Sequence, residues 1–188
     1  MSVVDKLTSL ADGVRKVAWS KQKLSIDEMT SLLQPKPNLL TGTDDFSDTW
    51  NNVQWWTEET DWKGLTTYSS IYQWSGINQE TAVEKGRTYT FSIFAKAIGN
   101  PDKGAQFYLP PGGGSTDIVT PYAQTDIEIT TEWARYAITF VANTDGKINA
   151  RLEPNLKDSK IQVCGLKLEE GDMATPYVNN DGNIVTII

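Results

Sequence analysis

The 188-residue sequence contains no histidine and one cysteine, Cys164. Without histidine the commonest general base is gone, and with it the Ser-His-Asp and Cys-His nucleophile systems and the His-containing zinc sites. One cysteine permits no internal disulfide, and its setting in the apolar run from Ile161 to Leu168 reads as that of a buried thiol. No stretch of about 18 apolar residues occurs, so no membrane-spanning helix is expected. The start, Met1 to Lys6, lacks the basic flank, apolar stretch and small-residue cleavage site of a secretory signal, from which a protein made inside a cell is expected. Positive charge is scarce: 17 Lys and Arg stand against 24 Asp and Glu, for a net charge of -7. That charge opposes a phosphate backbone, and no basic stripe compensates, so no nucleic-acid partner is expected. Gly112 to Gly114 is not followed by the lysine and helix of a phosphate-binding loop.

What the sequence has in excess is tryptophan. Six of the seven (Trp19, Trp50, Trp55, Trp56, Trp62, Trp74) fall in its first half. Hydrophobic residues at 39% and charged residues at 22% leave ample material for a packed core, so these indoles belong to a folded globular chain.

Two patterns divide the chain. Val3, Leu7, Leu10, Val14 and Val17 recur at the alternating spacing of a coiled-coil seam, though roughly two heptads are too few to associate alone. Ser25 and Glu28 form a capping box and Leu24 and Met29 a hydrophobic staple, predicting a second helix from Ile26 to Leu33. Residues 1–34 are thus expected to be a helical anchor or oligomerisation segment. The prolines at 35 and 37 stop the helix and make residues 35–37 a stiff linker. Beyond Pro37 the period changes to alternation. Tyr89, Phe91, Ile93, Ala95 and Ala97 share one face of a strand, Tyr136, Ile138 and Phe140 one face of Trp133–Ala142, and Ile148, Ala150 and Leu152 one face of Lys147–Glu153. Turn signals at Glu84–Gly86, Asn143–Gly146 and Asn155–Asp158 separate them, and Pro110–Thr116 reads as a glycine-rich loop. The expectation is a mainly β protein, an antiparallel β-sandwich of jelly-roll type over residues 38–178, with an N-terminal helical segment and a tail, 179–188. The apolar end of that tail, Ile184 to Ile188, wants a partner edge.

Three stretches carry a family resemblance in a matching order: Asn38-Leu39-Leu40-Thr41-Gly42 leading to Phe46; Gly86-Arg87-Thr88-Tyr89-Thr90-Phe91-Ser92 with Lys96; and Leu166-Lys167-Leu168-Glu169-Glu170-Gly171 with Ala174-Thr175-Pro176-Tyr177. With Thr131-Glu132-Trp133 entering a late strand, they resemble the carbohydrate-binding jelly-roll modules in structural proteins of phages of lactococci and streptococci. Leu7 to Asp12 with Arg15, and Leu24 to Met29, are similar to a small helical module of phage tail-associated proteins. The resemblance implies a virion protein of the tail, baseplate or neck that binds host cell-wall polysaccharide, with residues 1–34 contacting other phage structural proteins and a homo-oligomer, a trimer by preference. The end departs from the family pattern: after Tyr177 only a short tail, Val178 to Ile188, follows, from which a chain that is not an insertion in a long structural protein is expected. Modules of this kind sometimes hold a structural calcium between the first and last strands, for which Asp45 and Glu169, with Asp44, Glu170 and Asp172, are the oxygen donors on offer. No loop has the regular spacing of an EF-hand, solvated surface charge is the competing reading, and no cofactor is expected.

Sugar rings stack their C–H faces on indole and phenol rings, and their hydroxyls need paired polar groups. Trp50 to Trp74 interleaves both kinds. The expected saccharide-binding residues are Trp55, Trp56, Trp62, Tyr72 and Trp74, with Gln73 and Asp61 as hydrogen-bonding partners. Adjacent Trp55 and Trp56 on a strand point to opposite faces, so only one of them faces a given ligand. Tyr72 and Trp74 share a face, with Gly76 open to close approach. For each tryptophan, core packing is the competing reading, and Trp133 is read as structural. Two other functions stay open: a purely structural virion decoration without glycan binding, and a glycoside hydrolase using Glu58 or Glu59 with Asp61, which needs only two carboxylates.

Overall fold

The structure is a computed structural model, and it describes residues 34–99, 102–111, 117–155, 160–179 and 181–186. The expected helices lie outside the described residues. Within them the chain is almost wholly β. The strands in chain order are β1 (Thr57–Trp62), β2 (Leu65–Ser70), β3 (Thr81–Val83), β4 (Thr88–Ala97), β5 (Asp102–Tyr108), β6 (Val119–Thr120), β7 (Ala123–Ile129), β8 (Ala134–Ala142), β9 (Gly146–Ile148), β10 (Arg151–Pro154), β11 (Ile161–Glu170), β12 (Tyr177–Val178) and β13 (Ile184–Val185). All of the described strand pairings are antiparallel.

Two layers result. The larger sheet has the order β1-β2-β11-β4-β8-β6, and the smaller has β10-β5-β7. The β3-β9 ladder extends the smaller sheet, because Pro111, just past β5, bridges Ile148 and the Asn149 N–H donates to the Pro110 carbonyl at 2.9 Å. The strand expected over Lys147–Glu153 is therefore real but broken at Asn149 and Ala150, where its pairing passes from β3 to β5. Phe91 of β4 meets Phe107 of β5 edge-on at 5.9 Å between the layers. Around them pack Ile93, Ile138, Phe140, Ile148, Leu152 and Leu168, the residues that alternation sends inward.

The opposite face of β4 is buried as well, which alternation alone does not predict: Thr90, Ser92 and Phe94 are nearly inaccessible. The segments on either side of the sandwich lie over it. The Leu39 N–H donates to the Leu168 carbonyl at 2.7 Å, and Tyr177 packs edge-on against Phe94 at 6.0 Å. The closing motif that carries the family resemblance is thus a buried clasp. Lys167 donates to Thr175 Oγ1 at 2.7 Å and to the Pro176 carbonyl at 2.9 Å, and pairs with Glu169 at 3.1 Å. A bulge in β11 makes this possible. Gly165 at φ 56° inserts one extra residue, so that both Cys164 and Lys167 face outward, opposite Phe94 and Ser92. A Cβ there would stand 2.8 Å from the Phe94 ring, which reserves the position for glycine. Burial raises the Cys164 thiol well above its ordinary range, as expected of an inert core residue.

The prolines at 35 and 37 flank Lys36, whose N–H donates to Thr175 Oγ1 at 2.9 Å and whose ammonium donates to the Glu170 carbonyl at 3.0 Å. The apolar tail finds its edge within the chain, Ile184 and Val185 pairing with Val178 and Tyr177.

Candidate saccharide-binding surface

The cluster of aromatic residues expected from Trp50 to Trp74 separates into three groups. Trp50 and Trp56 belong to the core. Trp56 is 7% exposed and donates its indole N–H to the Ser75 carbonyl at 2.7 Å, which corrects its place among the ligand platforms: neither face nor polar edge is left for a ligand. Trp55, its neighbour, is 47% exposed. The two do diverge, though from a 3-10 turn, Val53–Trp55, and not from a strand. Asp61 and Trp62 end β1 and line a depression on the outer face of the larger sheet. Tyr72, Gln73 and Trp74 sit in a turn, which replaces the strand expected there.

That turn is held from several sides. The Trp74 N–H donates to the Pro154 carbonyl at 3.1 Å, Gln73 donates its amide to the Asn155 carbonyl at 2.8 Å, and the Ser75 hydroxyl donates to the Tyr72 carbonyl at 2.8 Å. Gly76 lies against β10, where a Cβ would be 2.6 Å from the Leu152 carbonyl oxygen; the close approach expected there is one to the protein's own backbone. The outcome is a tryptophan with φ 62° and 55% exposure. A bulky residue in the left-handed region costs about 1–2 kcal/mol, and an exposed indole offsets little of that by burial. Tyr72 and Trp55 form a neighbouring exposed pair, edge-on at 5.4 Å.

Beside this turn lies the outer face of the smaller sheet. Phe107 and Leu152 point into the core, so their strand neighbours Gln106, Tyr108, Arg151 and Glu153 point out. The register sets Gln106 opposite Glu153 and Tyr108 opposite Arg151. Glu153 accepts from Arg151 Nε at 2.5 Å, from Gln106 Nε2 at 2.8 Å and from the Gly76 N–H at 3.4 Å. The Arg151 guanidinium lies over the Tyr108 ring at 5.0 Å and reaches the Trp74 carbonyl at 3.5 Å. Tyr122, 55% exposed, stands edge-on to Tyr108 at 6.2 Å. Trp74 and Tyr122 thus offer open rings on either side of a guanidinium and an amide. The charge of Arg151 is cancelled by Glu153, and Tyr108 is covered by Arg151. Such a surface suits an uncharged, hydroxyl-rich ligand.

Sequence reasoning missed Gln106, Tyr108, Tyr122, Arg151 and Glu153. The signal for two of them was present, because placing Ile148, Ala150 and Leu152 inward puts Arg151 and Glu153 on the opposite face.

The proposed metal donors do not assemble. Glu169 accepts hydrogen bonds from the Thr175 N–H and hydroxyl and pairs with Lys167, Asp44 accepts from the Tyr177 hydroxyl, and Asp45 accepts from the Ser47 N–H at 3.0 Å. No group of three or more metal-ligating side chains occurs among the described residues. Nor does Glu59 fit a hydrolase acid. The Ser69 hydroxyl, donating at 2.6 Å, and Lys160 at 3.6 Å hold its carboxyl below the usual range, whereas a general acid needs it raised.

No protein-family model and no curated protein matches the sequence. Among solved structures, the chain is similar to the CBM22-1 xylan-binding domain from Paenibacillus barcinonensis, with 15% identity over 73% of this chain and 96% of that one and a TM-score of 0.49. It is similar to TmCBM61, solved in complex with β-1,4-galactotriose, with 12% identity over 72% of this chain and all (100%) of that one and a TM-score of 0.49. It is also similar to the enzymatically active domain of tailspike protein 4 of bacteriophage CBA120, with 13% identity over 71% of this chain and 21% of that one and a TM-score of 0.46.

Proposed function

We propose that this chain is an accessory protein of a phage virion, at the tail, baseplate or neck, that binds an uncharged saccharide of the host cell surface and so aids adsorption. The sequence motifs support the virion setting, and the outer face of the smaller sheet supports the ligand. The observation that carries the reading is Trp74, exposed, held at φ 62° and set beside the Arg151, Glu153 and Gln106 network. Such strain persists only where surrounding bonds enforce it, and it gathers at binding sites. A sugar ring stacks on the Trp74 indole, and its hydroxyls meet the remaining guanidinium and amide hydrogens. Residues 1–34 attach the module and bring copies together, so that weak single-site binding is raised by multivalency.

Isothermal calorimetry of the full chain with purified host cell-wall polysaccharide tests this. Binding that drops at least about tenfold in Trp74→Asn supports the reading. No detectable heat, and no retention on the polysaccharide when the chain is displayed in many copies, overturns it.

A further inference from the structure

The outer face of the larger sheet is sealed at one end by the segments around Leu39 and Tyr177 and open at the other. The open end is a depression of about 360 Å³ lined by Glu59, Asp61, Trp62, Lys96, Trp133 and Gln162. Pairing explains why these residues converge. In β4, β11 and β2, Lys96 faces Gln162 and Gln162 faces Ser69, so three polar side chains stand in register across adjacent strands. The row continues at one end to Trp133, whose ring lies 5.3 Å from the Lys96 ammonium. At the other end it reaches Glu59, which accepts from the Ser69 hydroxyl at 2.6 Å. Trp62 stacks on Trp133, with centroids 4.7 Å apart and planes at 24°.

Core packing accounts for only part of this. Trp62 and Trp133 cover Phe94, Leu65 and Cys164 with one side and stay half-buried. It does not account for the two ends of the polar row: Ser69 and most of Gln162 are buried, whereas Lys96 and Glu59 stay half-buried at the wall of the depression. Lys96 forms no ion pair among the described residues, while Gln162 uses one amide hydrogen on Thr67 Oγ1 at 2.6 Å and keeps its carbonyl oxygen. The depression is therefore lined by a donor, the Lys96 ammonium, an acceptor on the adjacent strand at a spacing of about 4.8 Å, the Gln162 carbonyl oxygen, and the Glu59 carboxylate beyond, groups that the hydroxyls of a pyranoside chain can meet. Glu59 and Asp61 on the rim disfavour an anionic ligand.

We propose that this depression is a second saccharide site, for a neutral pyranoside chain, on the opposite face of the sandwich from Trp74. The indoles of Trp62 and Trp133 supply the apolar contact, Lys96 and Gln162 the hydroxyl contacts, and Glu59 accepts at the rim. One protomer then presents two outward-facing sites and joins two glycan strands without oligomerising. The inference stands on its own residues, and the Trp74 reading is not needed for it.

The test uses the full chain with 15N-labelled indoles in a Trp74→Asn background, titrated with cellotriose, xylotriose, β-1,4-galactotriose and, as an anionic control, tri-galacturonate. The expected result is a saturable shift of the Trp62 and Trp133 indole resonances with at least one neutral trisaccharide, at a Kd of about 1 mM. Lys96→Met, which keeps the alkyl stem over the ring, should weaken that binding about tenfold. The proposal is overturned if no neutral trisaccharide gives a saturable shift, if the shift is the same in Lys96→Met, or if only tri-galacturonate binds. In the wild-type chain the Trp74 and Trp55 resonances report the first site separately. Shifts there without shifts of Trp62 and Trp133 sink this proposal and leave the first reading standing.

Discussion

Glu153→Gln separates the support of the Trp74 turn from its contact with ligand. Glu153 is 1% exposed, and three donors converge on its carboxylate: Arg151 Nε, Gln106 Nε2 and the Gly76 N–H. Glutamine keeps the volume, so no cavity term enters, but its amide offers one acceptor where two oxygens stood and turns an NH2 group toward donors. Removing one partner of a buried ion pair costs about 3–5 kcal/mol. Arg151 keeps 14% of its side-chain surface in water and retains the Tyr108 ring, which reduces the loss to about 2–3 kcal/mol. Arg151 Nε and the Gly76 N–H share Oε2 while Gln106 Nε2 uses Oε1, so the new NH2 faces the Gln106 amide and the shared oxygen loses its charge. The Gly76 bond, the longest of the three, is the one that loss loosens most, and with it the turn carrying Trp74.

The assay is urea unfolding of the wild type, Glu153→Gln, Arg151→Met and the double variant, with calorimetry on the polysaccharide alongside. The double-mutant cycle should return a coupling of about 0.5–3 kcal/mol between Arg151 and Glu153. Affinity should fall about tenfold in Glu153→Gln although that residue touches no ligand. Stability unchanged to within about 0.5 kcal/mol refutes the account of the network. Stability that falls while affinity stays refutes the link between the network and the site.

Three further outcomes follow from the same geometry. Trp74→Asn should weaken binding at its own site at least about tenfold while leaving stability equal or up to about 1 kcal/mol higher by chemical denaturation, because asparagine tolerates the left-handed region at φ 62° and the lost indole was exposed. Trp56→Ala should do the reverse of a ligand-contact variant, lowering stability by about 3–5 kcal/mol through a core cavity and an orphaned Ser75 carbonyl. Burial lowers the Lys167 ammonium from 10.5 to about 8, despite Glu169 beside it. Between those two values the unfolded chain binds more protons at this site than the folded one, so its contribution to stability rises with pH, by about 1.4 kcal/mol per unit, and is constant below about pH 8. Cys164 acts in the opposite sense above pH 9, because its buried thiol keeps a proton that the unfolded chain gives up. The Lys167 effect is therefore read as the stability difference between wild type and Lys167→Met, which should grow in favour of the wild type from pH 8 to 9.5; a flat difference contradicts it.

The sandwich was legible because its inner faces obey one local rule. Each of Phe91, Ile93, Ile138, Phe140 and Leu152 sits two residues from another apolar residue and lands in the core as alternation demands. The covered outer face was not legible, since the burial of Ser92 and Thr90 comes from chain tens of residues away in sequence, lying across them. The break at Asn149 was hidden for a related reason: which partner a strand pairs with is a property of the sheet, not of the strand.

The candidate site shows the same limit in sharper form. Counting aromatics along Trp50 to Trp74 located a surface, but neighbours in sequence went to different faces: Trp56 to the core, Trp62 to the larger sheet and Trp74 to the smaller. What assembles around Trp74 comes from β5 and β10, about 30 and 80 residues further on, and is joined to it by Glu153. Buried carboxylates are retained only where donors satisfy them. Glu153 in the strand Arg151–Pro154, opposite Gln106, therefore implies a closed network on the outer face. A strand whose inward positions are Ala150 and Leu152 and whose outward positions are a charged pair is a sequence-level sign of a polar surface being held in place, which the density of tryptophan along the chain does not show.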